Sequence, residues 1–533
     1  MKKKFKDLTV EEIEYIKKEY HNKESGLKWE ERKDNLAKHF GITERTMRKW
    51  FAKLNISGQN NKISDQFEEA KNNKLQEGKK IFLITYCQNN TDINEELLAN
   101  MEAYASFLNA QILVIGGRYK NPTSVFADKP YEFWDKSVIK YLTTSRLDLH
   151  KYCTLMADVK VQTSASNPLS TLEGLTHENS CIVGSPRIIF KMLPVLEGCK
   201  PKAMLTTGAL SKPNYVDSKI GKVAEFQHVY GFAIVEVKDD DVFYFRQVTS
   251  ASDGSFNDLY YHVSNGIVNR NNSISAVTFG DLHYGSTDER VMANMDSLLS
   301  KLVPEHVFLH DVFDGYSINV HEQKDGCIQY FKESRGLNSL DKEIKGMLDY
   351  LEYFTKFKKV LIVRSNHDLF LDRYIKDTQW QKNTTPKNSL IQNKLTALLL
   401  EQYETNGYEA IGLIPALIKQ RFPQFITLGL NQSYKVKGWE GANHGFLGNS
   451  GTKGSINQFR QLNTKLIIGH FHTPSRYENV AAVGTCTKLR LGYNVSASNW
   501  LQSSIITHND GKIQHINFIE DKEGNLGYTT FKY

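Results

Sequence analysis

The stretch from Ser273 to His283 reads Ser-Ile-Ser-Ala-Val-Thr-Phe-Gly-Asp-Leu-His. Its first seven residues are mostly apolar or β-branched, which predicts a buried strand. Asp281 and His283 follow directly and alternate by two positions, so on an extended turn both side chains point to one side of a sheet. Open α/β sheets build their sites beyond the carboxyl ends of their strands. This stretch therefore predicts an α/β fold with a polar site at a strand end.

The same arrangement recurs further along the chain. Short apolar strands are predicted at 307–309, 360–364 and 466–468. Each of these strands is followed by polar side chains, and a Gly-rich loop precedes the last strand. We therefore expect a single site to collect residues from all these strand ends. Its members are Asp281, His283, Asp311, Asn366, His444, His470 and His472.

The residue types in this set indicate the kind of chemistry. Carboxylate, amide and imidazole groups in this mixture are what a two-metal hydrolytic centre requires. Each motif alone is weak, because a histidine after a strand is more often a hydrogen-bonded loop residue than a ligand. Together, Asp-x-His, Asp-x-x-Asp, Asn-His-Asp and Gly-His-x-His are improbable as a chance alignment. His444, a single histidine in a Gly-rich loop, carries the least weight by itself.

On these motifs, which run in chain order over residues 274–475, the chain resembles the calcineurin-like metallophosphoesterases. That family includes the nuclease subunits of the double-strand-break repair complexes. The resemblance implies a phosphoesterase sandwich at 271–533 and two divalent metal ions, with Mn²⁺ favoured and Mg²⁺, Fe²⁺ and Zn²⁺ as alternatives. It assigns Asp281, His283 and His472 to one ion and Asn366, His444 and His470 to the other, with Asp311 bridging them.

The resemblance also implies catalytic roles. The two ions activate a water molecule that attacks phosphorus. His367 protonates the leaving oxygen or stabilises its charge, and Asp368 orients the imidazole of His367. Asp314 accepts a hydrogen bond from a ligand histidine such as His283 and sets its tautomer.

Two positions depart from the family pattern. The family usually has Gly before the bridging Asp and before the ligand Asn, whereas this chain has His310 and Ser365. A larger residue can adopt the same tight turn at some cost in backbone strain. His310 is also a candidate for an additional site residue.

Residues 1–57 are predicted to form a helical domain that contains a helix-turn-helix. Gly41 permits a left-handed turn, and Thr43 is placed to cap the following helix. The outward-facing basic residues of that helix, which suit contact with a DNA groove, are Arg45, Arg48, Lys49 and Lys53. The alternative is a helical hairpin used for packing or oligomerisation, and a homo-oligomer is left open.

The charge distribution points the same way. The formal net charge is +7, and residues 1–60 hold 15 Lys and Arg against 10 Asp and Glu. Such an excess at one end of a chain indicates a polyanionic partner. A solvated charged helix would give the same count, so the charge alone does not identify DNA.

Between the two ends, residues 58–79 are predicted to form a polar linker. Residues 80–270 are predicted to form an α/β domain of unknown role, because it begins with a βαβ pattern. A further strand of this domain is predicted at 182–189.

Composition excludes several classes of protein. At 533 residues, with 40% hydrophobic and 24% charged residues, the chain is an ordinary globular protein of several domains. No apolar run approaches the ~18 residues of a membrane span, and the amino terminus lacks a signal core. The six cysteines are scattered, which is typical of reduced thiols. We expect a cytoplasmic protein without a membrane partner.

A phosphoesterase centre alone does not choose among phosphomonoesters, cyclic nucleotides, phosphoproteins and nucleic acid. The helical head favours DNA, since tethering raises the local substrate concentration. The domain layout is similar to phage-encoded DNases, in particular those that T5-like bacteriophages use early to degrade host DNA. That resemblance implies a Mn²⁺-dependent DNase in the host cytoplasm. The alternatives are a phosphatase on small or protein phosphoesters, and a DNA-binding regulator with an inactive phosphoesterase fold.

Overall fold

The computed structural model describes residues 4–22, 29–54, 70, 73–124, 133–319, 321–322, 324–377, 381, 386–407, 411–492 and 494–531. Most of the predicted linker at 58–79 lies outside these described residues. The chain divides into two compact units, which are Met1–Asp65 with Asp128–Phe133 and Gln66–Ala127 with Trp134–Tyr533. Within the described residues, none of the helices combines the length and the apolar character that crossing a bilayer demands.

The first unit contains the helices α1 (Val10–His21), α2 (Trp29–His39) and α3 (Glu44–Lys53). Thr9 begins α1 with a capping box, since its hydroxyl accepts from the Glu12 N–H and its own N–H donates to the Glu12 carboxylate. Gly41 lies between α2 and α3 with φ +62°, in the left-handed region as predicted. The Thr43 hydroxyl then accepts from the Thr46 N–H, 3.3 Å away, at the start of α3.

An apolar cluster holds the three helices together. Its buried members are Ile16, Tyr20, Leu36, Ala37, Phe40, Met47, Trp50 and Phe51. On α3 the apolar residues recur at helical spacing, so Met47 and Trp50 face this cluster while the basic residues face solvent. The three helices lie within the region predicted to be helical, and the helix-turn-helix identity of this unit stays a prediction.

The second unit contains both strands and helices, which confirms the predicted α/β class. In the part of the chain that the structure describes, its strands are β1 (Ile81–Gln88), β2 (Gln111–Gly117), β3 (Leu142–Thr143), β4 (Leu147–His150), β5 (Cys153–Leu155), β6 (Ser180–Val183), β7 (Ile189–Leu193), β8 (Lys202–Thr206), β9 (Gly231–Val237), β10 (Phe243–Thr249), β11 (Phe256–Asp258), β12 (Tyr261–Ser264), β13 (Ile267–Arg270), β14 (Ser273–Thr278), β15 (Val303–His310), β16 (Lys359–Val363), β17 (Ile426–Leu428), β18 (Lys435–Val436), β19 (Trp439–Glu440), β20 (Leu466–Ile468), β21 (Ser475–Tyr477), β22 (Val480–Ala482), β23 (Ser503–Thr507), β24 (Ile513–Asn517), β25 (Ile519–Glu520) and β26 (Leu526–Gly527). Its helices are α4 (Glu95–Leu108), α5 (Lys219–Phe226), α6 (Glu289–Leu299), α7 (Gly326–Ser334), α8 (Leu340–Leu351), α9 (Asn366–Lys376), α10 (Pro386–Asn406), α11 (Leu413–Arg421) and α12 (Ile456–Gln461).

Three larger sheets organise the second unit. The strand orders are β10-β9-β1-β2-β3, β17-β16-β15-β14-β23-β24 and β18-β19-β20-β22-β21-β7-β8-β6-β5-β4. In the first sheet β1 and β2 run parallel with α4 between them in sequence, as the βαβ pattern predicted. The ten-stranded sheet takes strands from both sides of residue 271, the predicted start of the phosphoesterase domain. The domain boundary itself stays a prediction.

The central strands β14, β15 and β16 of the six-stranded sheet carry buried apolar side chains on both faces. Val277, Val307 and Ile362 on one face pack against a core that includes side chains of α6 and α8. Phe308 and Leu361 on the other face pack in a separate cluster. A third cluster joins strands of the six-stranded and ten-stranded sheets, and consists of Trp439, Ile467, Ala481, Val483, Ile505 and Ile513.

The single strand predicted at 182–189 is wrong. The structure has two strands there, since β6 ends at Val183 and β7 begins at Ile189. Between them Gly184, Ser185 and Pro186 break the ladder. Proline has no N–H to donate to a neighbouring strand, and this local signal outweighs the apolar run.

Candidate metal centre

The seven side chains expected to form one site converge at the carboxyl ends of parallel strands. β14, β15 and β16 run parallel in the six-stranded sheet. β19, β20 and β22 run parallel in the ten-stranded sheet. Parallel strands end at the same edge, so residues far apart in the chain meet there. Asp281 and His283 follow β14, Asp311 follows β15, Asn366 follows β16, His444 follows β19, and His470 and His472 follow β20.

One group of ligand atoms is fully buried and consists of Asp281, His283, Asp311 and His472. His472 Nε2 lies 3.1 Å from Asp281 Oδ2 and 3.1 Å from His283 Nε2. His283 Nε2 is also 3.4 Å from Asp311 Oδ2. Two carboxylates and two imidazoles therefore surround one small volume.

A second group also contacts Asp311 Oδ2 and adds Asn366, His444 and His470. Asn366 Oδ1 is 3.1 Å from His444 Nε2 and 3.0 Å from His470 Nδ1. His444 Nε2 is 3.1 Å from Asp311 Oδ2. The Asp311 carboxylate thus belongs to both groups, which is the division of residues that the family resemblance implies.

The donor atoms in this cluster fit bound cations. Within the described residues, Asp281 Oδ1 and Asp311 Oδ1 are buried and make no hydrogen bond. A buried polar atom without a partner is costly, and a bound ion removes that cost by coordinating the atom. His283 and His472 also bring two ring nitrogens to 3.1 Å from each other, next to carboxylate oxygens. These buried histidine and aspartate groups could hold a metal ion, and oxygen and imidazole donors without thiolate suit Mn²⁺, Fe²⁺, Zn²⁺ or Mg²⁺.

Backbone strain is concentrated at the same residues. His283, Asp311, His470 and His472 have φ of +45°, +46°, +74° and +55°, in the left-handed region that non-glycine residues rarely adopt. Each such residue costs on the order of 1 to 3 kcal/mol, and such strain clusters at functional sites. The turns after β14, β15 and β20 therefore orient these side chains, and the cost is a strained backbone at the same residues.

His310, where the family has Gly, is a buried neighbour of the second group. Its ring stacks on that of His444, with centroids 5.4 Å apart, and the two Nδ1 atoms lie 3.2 Å apart. Burial, together with the charge of His444, lowers the pKa of His310 to about 3. A Cβ at Gly469 would lie 2.3 Å from Asp281 Oδ1 and 3.0 Å from His444 Nδ1. An imidazole therefore fills the position at this turn where the family pattern has a glycine. The absence of a side chain at Gly469 leaves room for the crowded groups around it.

The three predicted catalytic side chains have different surroundings. Asp314 Oδ1 accepts from His283 Nδ1 at 2.9 Å, which is the contact expected from the sequence. His367 Nδ1 lies 2.5 Å from the backbone oxygen of Asp314, so a carbonyl orients this ring. Asp368 instead accepts from the Ser365 N–H in the capping box that begins α9. The expected contact of Asp368 with His367 is wrong, because the position three residues after a capping serine turns that carboxylate back to the helix start.

The charges of the cluster also perturb the protonation of its members. Burial opposes a charge on His283, yet the carboxylates of Asp311 and Asp314 outweigh it and raise the pKa of His283 to about 9. Burial disfavours the Asp311 carboxylate as well, but His444, His367 and His283 hold its pKa well below the usual range. Burial raises the pKa of Asp368 to about 7. Perturbed groups that gather in one place are typical of a functional site.

One neighbour of the cluster was missed in the sequence. The Trp500 ring packs edge to face against His472, with centroids 4.2 Å apart. Trp500 lies outside every motif, and no local pattern distinguishes it from a core tryptophan. Only the pairing of the chain around Leu501, whose N–H donates to the His472 carbonyl at 3.2 Å, brings it to the centre.

The four predicted DNA-binding residues are all exposed on α3. Arg48 pairs with Glu44 at 2.6 Å, and Lys53 lies 5.0 Å above the ring of Phe5. Arg45 and Lys49 have no ion-pair partner within the described residues. The set therefore forms a solvent-facing basic surface, which is compatible with both interpretations of this helix.

A phage protein is similar in sequence to this chain over most of its length. Protein A1 of Escherichia phage T5 is 32% identical to the chain over 474 residues, covering 84% of the chain and 83% of that protein. No family model matches the chain, and no solved structure matches it. The relation to T5-like bacteriophages that the domain layout indicated is confirmed. The metallophosphoesterase resemblance continues to rest on the motifs and on the cluster they form.

Proposed function

The chain belongs to the family of Protein A1 of Escherichia phage T5, and we propose that it is a phage-encoded deoxyribonuclease that hydrolyses phosphodiester bonds at a two-metal centre. The observation that carries this proposal is the position of the Asp311 carboxylate between two groups of ligand atoms. A carboxylate shared by two sets of donor atoms suits a pair of neighbouring cations.

Each ion has its own ligands in this proposal. Asp281, His283 and His472 would hold one ion, Asn366, His444 and His470 would hold the other, and Asp311 would serve both. The ions, most simply Mn²⁺, supply Lewis acidity to the phosphate oxygens and lower the pKa of a nucleophilic water.

The chain's own residues orient these groups and handle protons. Asp314 holds the Nδ1–H of His283, which directs the Nε2 lone pair into the cluster. The carbonyl of Asp314 accepts the Nδ1–H of His367, which makes Nε2 the nitrogen that gives a proton to the leaving oxygen. One loop residue therefore positions both a ligand and the general acid.

DNA is the substrate that the rest of the chain supports. The first unit presents an exposed basic helix, and the excess of positive charge in residues 1–60 suits a polyanion. A DNA-docking unit that is tethered to the centre raises the local substrate concentration. In this proposal the protein acts on host DNA in the host cytoplasm.

The test is to strip the protein with EDTA, restore Mn²⁺, Mg²⁺, Zn²⁺ or anaerobic Fe²⁺ separately, and supply plasmid DNA and a chromogenic phosphomonoester in parallel. We expect the DNA to be cleaved with Mn²⁺ and the monoester to be poorly cleaved. Cleavage of the monoester alone would identify a phosphatase. Turnover of neither, together with DNA binding, would identify a regulator with an inactive fold.

Replacing both Arg45 and Lys49 with Gln should weaken DNA binding without affecting hydrolysis of a small diester. If each side chain neutralises one phosphate, the slope of log K against log salt concentration should fall by about 2. Fluorescence anisotropy with a short duplex in EDTA, over a series of KCl concentrations, measures this slope. Lys17→Gln with Lys18→Gln is the matched control, because it removes the same charge from exposed positions of α1. Equal slopes in both double variants would remove the DNA role from α3.

Replacing His310 with Ala should weaken the binding of one metal ion about 10- to 100-fold, because the His444 ring loses the neighbour that orients it. Calorimetric titration of Mn²⁺ into the metal-free variant measures the two affinities. His306→Ala is the matched control, since His306 is also buried on β15 but bonds to the Ser275 carbonyl away from the cluster. Unchanged Mn²⁺ affinities in the His310 variant would make this histidine a packing residue only.

A further inference from the structure

A cavity of about 170 Å³ opens beside the metal centre. We call it the Trp500 cavity, after the aromatic side chain in its wall. Its other walls include Leu196, Leu489, Arg490 and Asn499. For scale, an engineered protein cavity of roughly 150 Å³ binds benzene, so this space is large enough for one planar ring system.

The Trp500 cavity is built from two chain segments that hold each other in place. Val195 and Ser498 exchange two backbone hydrogen bonds of 2.9 Å. Arg490 donates to the carbonyls of Asn494 and Ser496 at 2.9 and 2.8 Å, which closes its own loop. A binding space of this kind is formed before a ligand arrives, so little ordering cost opposes binding.

Two side chains in the wall of the cavity also contact the metal centre or its neighbour in the chain. Trp500 contacts the His472 ring, with centroids 4.2 Å apart. The side-chain Oδ1 of Asn499 accepts from the hydroxyl of Thr473 at 3.0 Å, and Thr473 follows His472 in the chain. The Trp500 ring is therefore shared between the wall of the cavity and the surroundings of His472.

We propose that the Trp500 cavity receives a nucleobase of the DNA strand next to the phosphate that is cleaved. This inference rests on the proposed nuclease function and specifies its substrate as an unstacked nucleotide. Trp500 offers a stacking surface that accepts any base, as aromatic side chains do in single-strand binding sites. Because its side-chain Oδ1 accepts from Thr473, Asn499 has its amide nitrogen for a base acceptor, while Arg490 and Glu197 place one charge of each sign in the wall.

Two substrates separate base recognition from phosphate chemistry. One is single-stranded oligothymidylate, and the other is a length-matched oligomer of abasic deoxyribose phosphates, which offers the same diesters without bases. We expect the wild-type protein with Mn²⁺ to have a lower KM for oligothymidylate. Trp500→Ala should raise the KM for oligothymidylate about ten-fold more than the KM for the abasic oligomer, because any disturbance of the neighbouring His472 affects both substrates alike, while Trp500→Phe should keep most of the preference. Equal KM values of the wild-type protein for both oligomers, or equal losses in Trp500→Ala, would overturn the proposal.

A binding measurement keeps the inference testable apart from catalysis. Thymidine monophosphate in EDTA should quench the tryptophan fluorescence of the wild-type protein in a saturable way. Trp500→Phe should lose that quenching, whereas Trp439→Phe, the control at a tryptophan buried between the sheets, should keep it. If neither oligomer is cleaved but the quenching depends on Trp500, the nuclease proposal fails and the base pocket stands. The base pocket would be contradicted if thymidine monophosphate caused no quenching, or if the quenching did not depend on Trp500.

Discussion

Replacing Asp311 with Asn is expected to remove at least one of two bound metal ions and to slow DNA hydrolysis by about 10³-fold or more, since several kcal/mol of charge stabilisation is lost. Asp311 Oδ2 lies 3.4 Å from His283 Nε2 and 3.1 Å from His444 Nε2, so one carboxylate serves both ligand groups. Asparagine keeps the shape but carries no charge and has a single acceptor oxygen. Metal content after gel filtration and the rate of plasmid cleavage measure the two effects.

Asp341→Asn is the matched control for this experiment, because it makes the same chemical change away from the cluster. Asp341 is exposed in the first turn of α8. The control variant should retain both ions and the full rate. An Asp311 variant that also retained both ions and full activity would contradict the bridging role, and with it the two-metal proposal.

Replacing His367 with Ala has the second largest expected effect. The variant should keep both metal ions, while kcat on DNA falls by about 10²- to 10⁴-fold, the usual contribution of a general acid. The reason is geometric, since the ring bonds to the Asp314 carbonyl while its centroid lies 4.6 Å from that of the ligand His283. Metal analysis and single-turnover kinetics on DNA check the two halves of this expectation.

The leaving group distinguishes an acid from a structural residue. A p-nitrophenolate leaving group needs no proton, so the His367 variant should lose much less activity on bis(p-nitrophenyl) phosphate than on DNA. His321→Ala, at an exposed histidine, serves as the control and should match the wild-type protein on both substrates. Because His283, Asp314 and His367 can also be grouped as metal ligands, a loss of metal in the His367 variant would reassign it as a ligand. Equal losses on both substrates would remove the acid role.

The fold could be predicted where local patterns are strong. The apolar runs at β14 and β20 and the βαβ pattern of β1, α4 and β2 give the strands and their order in the chain. The pairing of β7 with β21, which carries the ten-stranded sheet across residue 271, could not be predicted. Pairing between distant strands depends on which buried faces complement each other, and no local window of sequence contains that information.

The candidate site could be predicted by residue type but not by every contact. The motif residues have a chemistry that few other roles require, so their identities and their division into two groups follow from the sequence and its resemblance. The contacts of Asp368 could not be predicted, because an acidic residue after an Asn-His pair fits a catalytic partner and a capping box equally well. In the structure, Asp368 forms the capping box with Ser365.

The sequence by itself determined the strand ends, the ligand types that follow them and the basic helix of the first unit, because periodicity and spacing are properties of neighbouring residues. Only the tertiary structure decided that His310 stacks on His444 and that Trp500 lies against His472 beside a cavity. These contacts join segments far apart in the chain, and they exist because buried sheets must bring such segments into close packing.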